Sequence, residues 1–277
     1  MADAPSLTGV AGLARRHDPD RFLCALFAPP ERREALFTLI AYNHELARAR
    51  EAARNPLIAL MRLQWWREAV EHAAAGKPPR RHEVAEPLHA AITAGALDPA
   101  DLTAMADARE AEAEEGGIPT EAAFNAYLRS TAGGFAVAAG RLLGAPLDLL
   151  PALQEAGAAY GLAGVLRSLP ALAGQGRCLL PQDALAAAGL TPEAVIAEPE
   201  SEVVRKAVSG LAGPGLDGAR GVAARLRGLP RAALAAALPL VLARRDLRRL
   251  ARVGRAPAER GLGDRLAVMA AGLRGRV

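Results

Sequence analysis

Apolar positions recur along this chain at intervals of three and four. Leu36, Leu39, Ile40 and Leu46 do so after Glu31, Leu57, Leu60, Met61 and Leu63 after Pro56, and Leu162, Val165, Leu166 and Leu169 further on. That spacing places each set on one face of a helix, and no stretch alternates as a half-buried strand would. Starts and stops are also marked. Asp18-Pro19-Asp20 and Asn55-Pro56 combine an acidic or capping residue with a first-turn proline, while Pro29-Pro30, Gly76 to Pro79 and Gly116 to Pro119 interrupt. The pattern predicts a helix from Asp18 to the Pro29 break, then helices over 31–51, 56–75, 83–94, 99–115, 122–143, 146–172, 182–188, 199–212, 218–227, 231–253 and 257–273. A further short one opens at Thr191-Pro192-Glu193. Gly133 and Gly134 are expected to allow a close backbone approach, and 213–218 reads as the loosest internal linker.

Composition agrees with helix packing. The 277 residues are 51% hydrophobic but only 4% aromatic. Alanine and leucine dominate, and these favour helices, whereas strands want β-branched and aromatic residues. A flexible N-terminus over 1–17 and one domain over 18–277 are expected. The net charge of +4 is mostly arginine and is spread out. It suits a solvated surface, with a weak preference for anionic lipid or an acidic partner as the sharper alternative, and no nucleic acid is expected as a partner. Cys24 and Cys178 are too few for a disulfide framework or a thiolate metal site, and the five histidines share no metal spacing. A reducing, cytoplasmic location is expected, since the first residues lack a secretory pattern. The longest apolar run, 232–243, contains Pro239 and is too short to span a bilayer. The arginines at 244, 245, 248, 249, 252 and 255 that follow it suggest weak peripheral contact with the inner face of a membrane.

Four segments together resemble a known family. The stretch 157–181, GAAYGLAGVLRSLPALAGQGRCLLP, is similar to the second signature of the squalene/phytoene synthases, roughly G-x-A-x-Q-L-T-N-I-L-R-D-V-x-E-D-x-x-R-G-R-x-Y-L-P. Arg167, Gly176, Arg177, Leu180 and Pro181 fall in register. Ala41 to Leu46, AYNHEL, resembles the first half of that family's Y-A-F-C-R-x-V-D-D-x-x-D signature. The segments 60–68, LMRLQWWRE, and 127–140, YLRSTAGGFAVAAG, resemble two more. The resemblance covers about 18–250. It implies an all-α, single-domain isoprenoid-synthase-like helical bundle around a central apolar cavity.

In that family two aspartate clusters hold Mg²⁺ ions that neutralise a departing diphosphate while two prenyl diphosphates condense head to head. This chain departs from the pattern at both clusters. The first motif is degenerate at Ala47, Arg48 and Glu51, and the second at Ser168, Ala171 and Leu172. The resemblance therefore implies no catalytic residue, no metal ligand and no cofactor, with Mg²⁺ retained only if the chain is a prenyltransferase after all. Tyr42, Arg48, Tyr127, Arg167 and Arg177 are the candidates for a retained anion or ligand site. The structural alternative has Arg167 and Arg177 pairing with carboxylates or helix carbonyls of the chain itself.

A non-catalytic branch of the family, which includes a mitochondrial complex I assembly factor, also reads A-x-N-x-E-L-A and L-M-R-x-Q-x-W. This chain has 41–47 AYNHELA and 60–66 LMRLQWW. The resemblance implies a protein that binds a partner, such as a respiratory complex subunit, with an isoprenoid or lipid in the inherited cavity. Two alternatives stay open: a prenyltransferase of the squalene or phytoene type, and an isoprenoid-binding protein. Among the remaining residues, Glu51 reads as a surface carboxylate. One of Trp65 and Trp66 is expected in the core, because successive helical residues point about 100° apart. Asp107, Glu110, Glu112, Glu114 and Glu115 read as a solvated helix face. Arg62 is expected in an internal polar network, with a docking surface as the alternative.

Overall fold

The computed structural model describes residues 9–51, 55–114, 117–257 and 259–277, with the side chain of Glu51 outside that set. Among the described residues there is no strand. The first part of the chain folds as α1 Gly9–His17, α2 Pro19–Ala25, α3 Pro30–Glu51, α4 Pro56–Ala74, α5 Ala85–Thr93 and α6 Pro99–Ala108. The middle is α7 Glu121–Ser130, α8 Ala132–Leu142, α9 Leu150–Arg167, α10 Leu169–Gly174, α11 Gln182–Ala187 and α12 Pro192–Ala197. The end is α13 Glu202–Arg225, α14 Leu234–Ala237, α15 Pro239–Val253 and α16 Leu262–Arg274. The predicted caps are used: Asp18 and Asn55 accept backbone N–H bonds of 2.9 Å from Arg21 and Leu57, satisfying donors that a helix start leaves open.

The bundle has two halves. On one side α9 packs against α8, α13 and α15; on the other, α3 packs with α4, α5 and α1. α8 touches both α6 and α3 and so joins them. Leu39, Tyr42, Leu102 and Leu153 are completely buried in the continuous core between these halves. The α8–α9 approach is close because glycines line it. A Cβ on Gly133 would lie 2.7 Å from the Gln154 carbonyl oxygen, and one on Gly157 would collide with the Ala132 carbonyl oxygen. No ordinary Cβ contact is that short, so both positions need glycine. Gly134, by contrast, sits at ordinary contact distance from Met105.

Several boundaries differ from the sequence reading. The predicted 122–143 helix divides at Thr131, whose hydroxyl donates to the Tyr127 carbonyl at 2.7 Å. The predicted 146–172 helix divides at Ser168, where Pro170 has no N–H to continue the ladder. The expected linker over 213–218 is helical instead, and α13 runs through Pro214. Its buried face, Val204, Val208, Ala212, Leu216, Ala219 and Val222, continues across the proline against α9 and α15, and that burial outweighs one lost hydrogen bond. Of the N-terminal 17 residues, Gly9–His17 is helical and packs against α3 with Val10 and Ala14 buried. Residues 1–8 lie outside the described set.

Candidate functional site

Gly176, with φ of +70°, closes a left-handed turn after α10 and sends Arg177 back into the protein. There its guanidinium donates to the Glu112 carboxylate at 2.9 Å. Glu112 ends a 3₁₀ turn, Arg109–Glu112, that extends α6. The same carboxylate accepts from Arg109 at 2.5 Å and from the Tyr127 hydroxyl at 2.8 Å. Arg109 also reaches the Asn43 side chain on α3 at 3.3 Å. This buried carboxylate thus ties Arg177 to α7 and to the end of α6, and Arg109 extends the link to α3. Burial pushes the Glu112 carboxyl up, but Arg109 and Arg177 outweigh it and hold its pKa below the ordinary value. Burial and the adjacent Glu112 charge raise the Tyr127 phenol. A cleft of about 640 Å³ opens beside this cluster, walled in part by Arg50, Glu114, Gln182 and Glu193.

Arg167 sits in a second cluster at the end of α9. It lies 3.8 Å from Asp20 and 3.5 Å from the buried Asp246. Arg260 bridges the same two carboxylates at 2.8 and 2.6 Å, and the Tyr160 hydroxyl donates to Asp20 at 3.2 Å. A cleft of about 680 Å³ is walled by Arg15, Asp20, Tyr160, Arg167, Arg260 and Arg265, among others.

The five candidate ligand residues therefore separate. Tyr127 and Arg177 meet on Glu112, while Arg167 belongs to the Asp20–Asp246 cluster. Tyr42 is a core residue whose hydroxyl donates to the Leu102 carbonyl at 2.9 Å and whose ring meets Trp66 edge-on. Arg48 is exposed and pairs with Glu45 at 3.3 Å. In the degenerate motifs, Ala47 is half-buried on α3, and the Glu51 side chain lies outside the described residues. Ser168 caps α9, Ala171 is exposed, and Leu172 packs onto the apolar cluster of Ile118, Phe124 and Tyr127.

These residues do not fit a Mg²⁺–diphosphate site. An oxygen cage needs several carboxylates free to face one ion. Here Glu112, Asp20 and Asp246 are each already neutralised by arginine, and among the described residues no three His, Cys, Asp or Glu converge as a metal would require.

Sequence reasoning missed Glu112, Arg109, Asp20, Asp246 and Arg260. The solvated reading of the acidic run is wrong for Glu112, which is buried; its spacing of three from Arg109 was the available sign. Asp246, a single carboxylate amid Arg244, Arg245, Arg248 and Arg249 on an otherwise apolar helix, was another. The basic surface read from that helix also shrinks. Arg245 and Arg249 are held by Asp264 at 2.6 and 2.9 Å, and most of the apolar run before them is buried. On α4 the buried stripe is Ala59, Leu63, Trp66, Val70 and Ala73, which leaves Leu57, Leu60 and Met61 exposed. Trp66 is the core tryptophan, and Trp65 is half-buried under Arg80 at 5.1 Å. Arg62 is exposed, contrary to the internal role expected of it. The network there is built by Arg67 with Asp107 and Glu110, and by Arg80 with Glu68 at 2.6 Å.

No helix among the described residues is long and apolar enough to cross a membrane. The fold has close counterparts among solved structures. A squalene synthase, HpnC, from Alicyclobacillus acidocaldarius superposes with a TM-score of 0.74 at 17% identity, over 88% of this chain and 92% of that one. A dehydrosqualene synthase in complex with ligand superposes with a TM-score of 0.78 at 13% identity, over 96% and 94%. Among curated relatives, the Homo sapiens NADH dehydrogenase (ubiquinone) complex I, assembly factor 6 is 27% identical over 201 residues, 72% of this chain. The match spans 60% of that relative's length. The squalene/phytoene synthase family model matches residues 14–269. With the fold, the ordered segments and that match in agreement, the chain belongs to the squalene/phytoene synthase family.

Proposed function

We propose that this chain is a non-catalytic family member that works in the assembly of respiratory complex I by binding a protein subunit or intermediate. One observation carries the proposal. Three of the five residues that the family resemblance offers as anion ligands lie against the chain's own carboxylates: Tyr127 and Arg177 hydrogen-bond Glu112, and Arg167 lies 3.8 Å from Asp20 and 3.5 Å from Asp246. A guanidinium already neutralised by the chain's own carboxylate has little left to offer a substrate anion. The curated relatives named as complex I assembly factors support the biological setting. The docking surface proposed is the α4 face of Leu57, Leu60 and Met61, flanked by Gln64, Arg67 and Glu110. Its mixed charges suit a protein partner. No metal or cofactor takes part in this reading, and the chain works at a membrane surface.

The test has two arms. Incubation with farnesyl or geranylgeranyl diphosphate and Mg²⁺ should release no pyrophosphate above background; release would restore the prenyltransferase alternative. Met61→Glu should leave folding intact and reduce co-purification with complex I intermediates from cells. Unchanged co-purification would overturn the docking surface.

The isoprenoid-binding reading has its own support. A cleft of about 600 Å³ between α7, α9, α11 and α13 is walled largely by apolar residues, including Phe124, Leu162, Ala187 and Leu211. Mass spectrometry of lipids extracted from the purified protein decides it: a stoichiometric prenyl lipid would favour this reading over pure docking.

A further inference from the structure

Helix α16 has two faces. Asp264, Val268, Ala271 and Gly272 turn inward, and Gly272 lies so close to the Phe27 ring that a Cβ would overlap it. The other face carries Leu262, Leu266, Met269 and Leu273, which are 73, 52, 44 and 68% exposed. Their spacing of four, three and four aligns them in one stripe along the helix. Four large apolar side chains in a row on one outward face are more than scattered exposure. These four residues wall none of the clefts described above and form an outward apolar ridge by their exposure.

Within α16 and the residues after it, the exposed side-chain charges have one sign. The exposed charged residues of α16 and the residues after it are Arg265, Arg274 and Arg276, and Arg231 donates to the Leu273 carbonyl at 3.4 Å. The single carboxylate of α16, Asp264, is buried under Arg245 and Arg249. Glu259, exposed ahead of the helix, shares the cleft that Arg265 enters.

We infer that the α16 ridge is a docking face for an anionic lipid bilayer. Leu262, Leu266, Met269 and Leu273 enter the headgroup boundary, while Arg265, Arg274 and Arg276 meet lipid phosphates. Charge selects this occupant. A second copy would bring arginine-flanked ridges together, with like charges opposed. An anionic surface complements them, and an apolar ridge needs no shaped pocket in a fluid bilayer. The inference deepens the membrane part of the reading above and rests on it, and it moves the contact from α15 to α16. It is tested on the purified chain alone, so its failure leaves the protein-docking proposal standing.

The experiment is flotation of the full chain with vesicles of phosphatidylglycerol and phosphatidylcholine, or of phosphatidylcholine alone. Binding is expected on the anionic vesicles, at least tenfold weaker on the neutral ones. It should be largely lost at about 1 M salt, where the screening length is about 3 Å. The double change Leu266→Glu with Met269→Glu should reduce binding tenfold or more with an unchanged circular dichroism melt, while Leu57→Glu with Met61→Glu on α4 should not. As a second readout independent of lost function, Leu262→Trp should gain a blue-shifted emission on anionic vesicles that brominated lipid quenches. Wild-type binding by the α16 double variant, absence of binding to anionic vesicles, or an unquenched Leu262→Trp would overturn the inference. So would light scattering that shows a dimer dissolved by the α16 double variant, since a second copy would then own the face.

Discussion

Glu112 and its neighbours Asp107 and Glu110 belong to one acidic segment, yet they end in opposite environments. Glu112 is buried, and its side chain takes two arginines and a tyrosine. Asp107 and Glu110 are about half exposed and share the single guanidinium of Arg67. The chemistry of the pairs is the same. What differs is water. The buried carboxylate cannot be replaced by solvent if it is lost, whereas the exposed pair can be.

The largest expected effect follows from that contrast. Glu112→Ala removes the buried carboxylate that Arg177 and Tyr127 share with Arg109, a loss of about 3–5 kcal/mol. The melting temperature should fall by roughly 10 °C. A fall of only a degree or two would mean that the cluster is hydrated and that the contrast is false.

Next comes an interface where two imidazole rings meet. His17 of α1 and His44 of α3 stack with centroids 4.1 Å apart. Burial, then His17 and Arg48, lower the His44 pKa from 6.5 to about 4 against the opposing pull of Asp18. The unfolded chain therefore binds a proton between those values that the folded one refuses, and stability present above pH 6.5 is lost as pH falls towards about 4. Allowing for the ring's partial exposure, the loss is about 1–2 kcal/mol. Melting curves at pH 7 and pH 4.5 should converge for His44→Gln relative to wild type. Parallel acid loss in both proteins would assign it elsewhere.

Arg67→Ala sharpens the comparison from the exposed side. Its partners keep half their hydration, so a loss of about 1 kcal/mol or less is expected, a shift of ~2–4 °C. A loss as large as that of Glu112→Ala would place the two networks in one class. The smallest effect belongs to Arg62→Ala. Arg62 is exposed, and a surface substitution of this kind should stay within about 0.5 kcal/mol. A shift of several degrees would revive the internal network that the sequence suggested for it.

The legible part of the candidate site was its scaffold. Arg167, Gly176 and Arg177 kept register with a signature, and the missing carboxylates at 47, 168, 171 and 172 were plain to read. The identity of the carboxylates that pair with these arginines was not legible. Asp20, Glu112 and Asp246 come from segments 92 and 134 residues apart, and no local pattern distinguishes a carboxylate that will be buried from one that will be solvated. On α4 and α16 the same limit applies to apolar residues. Leu57 and Met61 satisfy helical spacing as well as Leu63 does, yet only Leu63 is buried.

Read alone, the sequence marks where most of the helices lie and where several of them start, because turn chemistry and periodicity act within a few residues, but it misses α1 and the divisions at Thr131 and Ser168. It also shows Ala47, Ser168, Ala171 and Leu172 where the family signatures carry carboxylates, because that depends on residue identity alone. Tertiary structure decided the rest. It chose which arginines are neutralised and which face outward, and it carried α13 through Pro214 and turned the α16 leucines to the surface. Those outcomes depend on which faces meet across the bundle, and burial there outweighs any local preference.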